Sequence, residues 1–399
     1  MSHHYVRNAL LKLSDYDGAL PLHIFLREAF RRDSRMGSRD RRVVRSLCYA
    51  WFRCAFLFNN LAPETRMIWS AYLTGQFDPV VLDTLLKSGG VEFSGLLPSD
   101  QLDLRFERAA GRIEGFDIRH LFPFEEWTSR QLDMTAFRTG MLFQPLVWIR
   151  VKSGYLSRVK KLLEDKGIAF DEHGNDGRTL GFPPETSLDA TGIFEMGWAE
   201  VQDLSSQQTV EIMEVMEGEI WYDACAASGG KSLLLKDRYP EVSLVVSDSR
   251  RSILDNLDVR FSRNRITSYR SFVMDLLDVN GFPEWLHPDG IIADVPCSGS
   301  GTWSRSPEQM SLFNREKLDR YIAIQKTITQ RLSGLLKGGG KLVYVTCSVF
   351  REENEDRVQQ IAEDFRFEIE KSRLIQGAGE RADTMYCALL RKKKYMAIN

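Results

Sequence analysis

The sequence predicts an α/β protein whose second half is a parallel, doubly wound sheet and whose first part is helical. Three observations predict it. From Val201 onward, short apolar β-rich runs alternate with helical stretches, the pattern of strand–helix–strand crossovers. Over the first 120 or so residues, apolar side chains recur at three- and four-residue spacings with no convincing strand. Chemically distinctive residues (Asp223, Asp248, Asp275, Asp294, Cys297 and Cys347) fall at or just past the ends of the β-rich runs. In an open parallel sheet that edge is where ligands bind.

The elements follow in order. "PLHIFLREAF" and "RRVVRSLCYAWFRCAFLFNNL" read as amphipathic helices, and "DPVVLDTLLKSGG" as a helix closed by glycine. Texture changes near "FPFEEWTSRQLDM". "PLVWIRV" (Pro145 to Val151) then reads as a strand, "SRVKKLLEDKG" as a helix ending at Gly167, and "IAFDE" as a second strand. "IWYDACA", "VSLVVSD", "YRSFVMD", "GIIADVP" and "KLVYVTC" are the strands of the large sheet, with helices such as "REKLDRYIAIQKTITQRLSGLL" between them. The predicted domains are residues 1–120, helical; 121–200, a small α/β module; and 201–399, the doubly wound sheet.

Composition narrows the class. The 399 residues are 43% hydrophobic and 27% charged, ordinary for a globular protein. No apolar run reaches the roughly 18 residues of a membrane span, and the N-terminus lacks a secretory pattern. The six cysteines have no metal-type spacing, so the expectation is free thiols in a reducing cytoplasm and no bound metal. A monomer is expected. A net charge of −2 argues against a broad nucleic-acid-binding surface. One local stretch, Arg27 to Arg45, carries eight arginines against three acids. Composition alone favours a solvated helical face there over a phosphate-contacting patch.

"DACAASGGKS" (Asp223 to Ser232) follows the first strand of the large sheet and opens a helix. Its glycines permit close backbone approach, and the helix N-terminus attracts a negative group. It is not a phosphate loop, because Cys225 stands where that pattern needs glycine, nor is it the dinucleotide GxGxxG. Alone, it is explained equally well by tight helix–strand packing. Asp248 ends the second strand, where an acid accepts ribose hydroxyls, and Asp275 ends the third. Each has a simpler reading as a cap or turn residue. A nucleoside-bearing cofactor explains the set together, and without a second phosphate loop S-adenosylmethionine fits better than a dinucleotide.

Cys297 and Cys347 have a simple reading as small buried residues. Yet "DACAASGGKS", "ADVPCSGSGTWSRSP" and "YVTCSVFREENED", in this order, resemble the Nop2/Sun family of S-adenosylmethionine-dependent RNA cytosine-5 methyltransferases. "VQDLSSQ" and the closing "YCALLRKK" resemble the family's lead-in and final strand. "RMGSRDRRVVRSLCYAWFR" is similar to the NusB-like helical domain of some members. The resemblance implies a seven-stranded, mostly parallel Rossmann-like class I methyltransferase domain whose last strand is antiparallel. It also implies that residues 121–200 form an RNA-binding module.

For the site, the resemblance implies Cys347 as nucleophile on cytosine C6, Cys297 in resolving the adduct, and Asp294 beside base and cofactor. Cofactor contacts would come from Cys225, Ala226, Ala227, Ser228, Gly229, Gly230, Lys231, Asp248, Asp275 and Asp294. Ser228 departs from the proline usual in the family. The implied partner is RNA, ribosomal in preference to transfer RNA, with Arg39, Arg41, Arg42 and Arg45 expected on phosphate. A transfer-RNA methyltransferase and a non-catalytic RNA-binding assembly factor of the same fold are the alternatives.

Overall fold

The structure is a computed structural model that describes residues 2–394 other than 34, 35, 175 and 279. The chain divides into two compact units. One comprises Met1–Glu126, Asp133–Gln144 and Trp303–Asn314; the other comprises Trp127–Leu132, Pro145–Thr302 and Arg315–Asn399.

The first unit is helical. Its helices include Leu22–Arg32, Ser38–Arg53, Pro63–Thr74 and Pro79–Ser88. Leu22, Leu26, Phe30, Val44, Leu47, Trp69 and Tyr72 are among the residues of one buried core. The helix predicted from "DPVVLDTLLKSGG" starts where its chemistry dictates. The Asp78 carboxylate accepts from the amides of Val80 and Val81, and Pro79 takes the first turn, where no amide donor is needed. Trp303–Asn314, far downstream in sequence, belongs to this unit. Trp303 and Phe313 join a cluster with Phe122 and Phe124, and the buried Glu308 carboxylate accepts from the Leu22 amide at 3.3 Å.

The second unit carries two sheets. Strands β1 (Val147–Val151), β2 (Asp171–His173), β3 (Thr179–Phe182) and β4 (Ala199–Val201) form a four-stranded antiparallel sheet in the order β2-β3-β1-β4. Helix Leu156–Asp165 covers it, burying Val159 and Leu163 with Ile149, Val151, Leu180 and Phe182. The strand expected over "IAFDE" begins only at Asp171. Gly167 adopts φ 65°, and the Ile168 amide donates to the Leu163 carbonyl at 2.9 Å, so residues 167 and 168 close the preceding helix.

The second sheet has seven strands: β5 (Ile220–Asp223), β6 (Ser243–Asp248), β7 (Arg270–Val273), β8 (Gly290–Asp294), β9 (Lys341–Thr346), β10 (Phe367–Gln376) and β11 (Thr384–Lys392). Their order is β10-β11-β9-β8-β5-β6-β7. Strands β5 to β9 pair in parallel, and β11 runs antiparallel to β9 and to β10. This is the Rossmann-like arrangement expected, with the last strand reversed. Trp221, Leu244, Val246, Ile292, Val343 and Val345 lie in its core. Gly290 is required where Trp221 packs: a Cβ there would meet the indole at 2.4 Å.

Register brings the sequence-predicted residues to one edge. Asp223 pairs with Ile292, Asp248 with Val273, and Asp294 with Val345. Asp223, Asp248 and Asp294 therefore end their strands on the same side of the sheet, and Cys297 and Cys347 stand in the loops just beyond.

Candidate active site

The β5 turn is held by neighbouring strands. The Ala224 amide donates to the Ile292 carbonyl, the Ala226 amide to the Ser247 carbonyl, and the Ala227 amide to Asp248 Oδ2 at 3.1 Å. Ala227 and Gly229 both take positive φ, 45° and 84°. Gly229 has no substitute, because a Cβ would meet Phe261 Cε1 at 2.7 Å and Leu257 Cγ at 3.1 Å. At Gly230, by contrast, a Cβ would meet nothing within 4 Å, and Ala227 is exposed. The turn thus offers open backbone at the start of helix Gly230–Arg238.

Asp223 lies beneath the turn, fully buried. Its Oδ2 accepts from Ser232 Oγ at 2.6 Å, while Oδ1 has no hydrogen-bond partner among the described residues. Burial, reinforced by the charge of Asp294, pushes this carboxyl up to about 6 against the opposing Ser232 hydrogen bond. Cys225 is also pushed up, first by burial and then by Asp223, Asp294 and Asp248, which makes it a poor thiolate. Asp248 Oδ1 accepts from the Arg250 amide and Nε, both at 3.0 Å. Asp275 is exposed and caps a turn by accepting from the Leu277 amide at 2.8 Å.

Cys297 and Cys347 come together. Their Sγ atoms are 3.2 Å apart, within sulfur hydrogen-bonding range and well beyond the roughly 2.05 Å of a disulfide. Both are free and partly exposed. Cys297 is raised well above the ordinary thiol range by its hydrogen bond to Cys347, then by burial, the proximity of Cys347 and the charge of Glu353. Lys231 Nζ donates to Asp294 Oδ2 at 2.5 Å. Burial would lower this lysine, but Asp294 outweighs it, and Asp223 and Cys347 add to the effect, so it stays charged. One turn and two loops thus assemble two thiols, an ammonium and a carboxylate.

Sequence reasoning missed what braces the two cysteine loops. Glu353, within the quoted "REENED", is buried and collects four donors. Its Oε1 accepts from the Ser298 amide at 2.9 Å and Gln325 Nε2 at 2.8 Å; its Oε2 accepts from Ser298 Oγ and Ser348 Oγ, each at 2.5 Å. Burial raises its carboxyl in spite of these bonds. Next to it, Asn354 Nδ2 donates to the Ser348 carbonyl at 2.9 Å, and Thr346 Oγ1 donates to Asn354 Oδ1 at 2.6 Å. Gly301 lets the Cys297 loop approach the start of β11, since a Cβ there would sit 1.9 Å from the Thr384 carbonyl oxygen. The available signal was the serine following each cysteine, with acids a few residues after Cys347.

The basic stretch lies on helix Ser38–Arg53 of the helical unit. Arg39, Arg42 and Arg45 are exposed. Arg41 is half-buried and donates through Nη2 to the Asp33 carbonyl at 3.1 Å. Arg35, counted in that stretch, lies outside the described residues. Among the described residues, no helix is long and apolar enough to cross a membrane.

The chain is similar to known proteins. Residues 210–387 match the family described as 16S rRNA methyltransferase RsmB/F. The chain is similar to ribosomal RNA small subunit methyltransferase B of Cronobacter sakazakii, with 30% identity over 67% of this chain and 64% of that one. It is also similar to the protein of the same name from Proteus mirabilis, with 33% identity over 62% and 60%. It therefore spans less than two thirds of either relative.

Among solved structures, PH0851 aligns over 96% of both chains with a TM-score of 0.69 and 19% identity. NSun6 from Pyrococcus horikoshii with SFG aligns over 70% of this chain and 97% of that one, with a TM-score of 0.59 and 17% identity. At these identities the likeness is one of fold. The Pro-Cys-Ser and Thr-Cys-Ser loops of this chain lie within the matched RsmB/F residues.

Proposed function

We propose that the chain is an S-adenosylmethionine-dependent RNA cytosine-5 methyltransferase acting on ribosomal RNA. The observation that carries this reading is the pairing of Cys297 and Cys347 at 3.2 Å beside the Lys231–Asp294 ion pair. Neither a scaffold nor a nucleotide hydrolase needs two adjoining thiols. The RsmB/F domain and the names of the bacterial relatives support ribosomal RNA as the substrate class.

The residues at the sheet edge fit the cofactor. The open backbone of the Cys225–Lys231 turn (Cys225, Ala226, Ala227, Ser228, Gly229, Gly230, Lys231) would hold its amino-acid end. Asp248 would accept from the ribose and Asp275 would contact the adenine, with the buried Asp223 backing the turn. A structural neighbour described with SFG, an analogue of S-adenosylmethionine, supports this choice. When bound, S-adenosylmethionine supplies an electrophilic methyl group.

Cytosine C5 is a poor nucleophile, and the two thiols remedy that. The resemblance to the Nop2/Sun family gives the attack to Cys347 and leaves Cys297, whose thiol is raised, to the release step. The Cys347 sulfur bonds to C6, and the displaced π electrons make C5 nucleophilic. The charged Lys231 nearby stabilises the thiolate. Asp294 would accept a hydrogen bond from the cytosine amino group. After C5 is methylated, water takes up the C5 proton; the freed electron pair restores the C5–C6 double bond and expels the Cys347 sulfur as a thiolate. Cys297 assists that release. The base must be turned out of any stack, at a cost of a few kcal/mol unless already unpaired. Arg39, Arg42 and Arg45 would contact RNA phosphates, with Arg41 tied to the Asp33 carbonyl at the end of the preceding helix.

Transfer of labelled methyl from S-adenosylmethionine to ribosomal RNA, mapped by bisulfite sequencing, tests the proposal. Methylated cytosine in small-subunit RNA, absent with Cys347→Ala, is expected. Transfer confined to transfer RNA would redirect the substrate. No transfer to naked RNA or to a ribosomal assembly intermediate would reject the activity.

A further inference from the structure

We infer that Arg260 is a positioning residue for the cofactor turn and acts through the hydroxyl of Ser228. The inference rests on the reading of residues 225–231 as a cofactor turn. Arg260 lies in helix Arg251–Arg263, outside every motif read from the sequence. Its guanidinium has five N–H donors, and each has an acceptor. Nε donates to Glu200 Oε2 at 2.8 Å, and Nη2 reaches the same carboxylate at 2.7 Å and the Val201 carbonyl at 3.4 Å. Nη1 donates to the Ser228 carbonyl at 3.0 Å and to Ser228 Oγ at 2.9 Å. One planar group therefore ties the turn after β5 to the end of β4. Glu200 is buried, and its second oxygen is taken by Asn264 Nδ2, so the anchor is itself fixed.

The turn needs such a restraint. Ser228 sits between two residues at positive φ, Ala227 and Gly229, a backbone path that an alanine adopts only when its surroundings impose it. A proline at 228 would restrict the chain covalently by fixing its own φ. Serine leaves the restraint to hydrogen bonds, and Arg260 supplies two of them. In this chain, residues 228 and 260 work as a pair, with the hydroxyl–guanidinium bond in place of a ring. Removing it leaves Arg260 on Glu200 but loosens the turn.

The test combines two readouts on the whole chain: S-adenosylmethionine affinity by calorimetry, and hydrogen–deuterium exchange of the 224–231 peptide without ligand. Ser228→Ala leaves the Arg260–Glu200 pair intact, so it separates the turn from the fold. It should weaken cofactor binding roughly tenfold, in line with one lost hydrogen bond to a charged donor, and speed exchange in that peptide. The melting temperature should not move. Ser228→Thr, which keeps the hydroxyl, should restore both. Arg260→Met should weaken binding further, and adding Ser228→Ala to it should change nothing more. In turnover, KM for the cofactor should rise while kcat holds.

Additive effects of Ser228→Ala and Arg260→Met, or wild-type affinity and exchange in Ser228→Ala, would overturn the inference. Failure of the wild type to bind S-adenosylmethionine would instead overturn the cofactor reading. Exchange in the ligand-free turn would then decide by itself whether Arg260 restrains it.

Discussion

Lys231 Nζ and Asp294 Oδ2 meet at 2.5 Å, joining the turn after β5 to the end of β8 beside the Cys297–Cys347 pair. Lys231 is buried while the Asp294 side chain is one-third exposed, so the pair presents its carboxylate side to solvent. Lys231→Met would leave Asp294 without its cation and the thiolate without a nearby positive charge. At least a hundredfold loss of methyl transfer is expected, with the melting temperature lowered by a few degrees. Single-turnover transfer and thermal unfolding on the same variant check both.

The two thiols also make an oxidation-sensitive pair. Hydrogen peroxide should convert them to a disulfide, with the two sulfurs oxidised and peroxide reduced to two waters. Sγ atoms 3.2 Å apart need a movement of only about 1 Å to reach bonding distance. Treated protein should lose transfer activity and recover it with dithiothreitol. Mass spectrometry of unreduced peptides should find Cys297 joined to Cys347, while Cys48, Cys54 and Cys387, all buried, stay reduced.

Asp223 gives a signed pH dependence. Its carboxyl stands at about 6 in the fold, above the ordinary 3.8. The folded state therefore holds this proton more tightly than the unfolded chain does. The stability it confers is full below pH 3.8 and is lost as pH rises towards 6, by on the order of 3 kcal/mol. Asp223→Asn keeps an acceptor for Ser232 and has no such titration. The wild-type minus variant difference in unfolding free energy should fall between pH 4 and 6.5 and be flat above. A flat difference throughout would contradict the shift.

Gly229→Ala should cost about 1–3 kcal/mol, because its φ of 84° and the contact with Phe261 at 2.7 Å both oppose a methyl group. Denaturant unfolding measures this. Cofactor affinity should fall in parallel, since the turn must shift to admit the methyl.

Charge reversal of Arg39, Arg42 and Arg45 together should weaken RNA binding and flatten the slope of log affinity against log salt by about 0.7–0.9 per lost phosphate contact. Reversal of Arg41 alone should act through its bond to the Asp33 carbonyl and show mainly as lost stability. Affinity unchanged across several salt concentrations would contradict a phosphate-binding face.

Legibility followed burial. Strands β5, β6, β8 and β9 are buried along nearly their whole length, so their apolar runs announced them. Strand β10 escaped because "FEIEKSRLIQ" is mostly polar: it pairs only with β11, at the sheet edge. Trp303–Asn314 reads as more of the glycine-serine loop, yet its aromatics join the helical unit, a tertiary choice no local pattern encodes. In the site, the thiols and the aspartates were visible because strand ends place them. Glu353 and Arg260 were not, because their partners lie 5 to 60 residues away and only the folded sheet brings them together.

The most direct test of the central claim is covalent trapping. RNA carrying 5-fluorocytosine at the methylated position blocks loss of the C5 substituent and should hold the enzyme as a denaturant-stable adduct in the presence of S-adenosylmethionine. Peptide mass spectrometry of that adduct should place the RNA on Cys347, with no adduct from Cys347→Ala and a persistent one, even on ordinary RNA, from Cys297→Ala. An adduct on Cys297, or none from a wild type that binds both RNA and cofactor, would contradict the account.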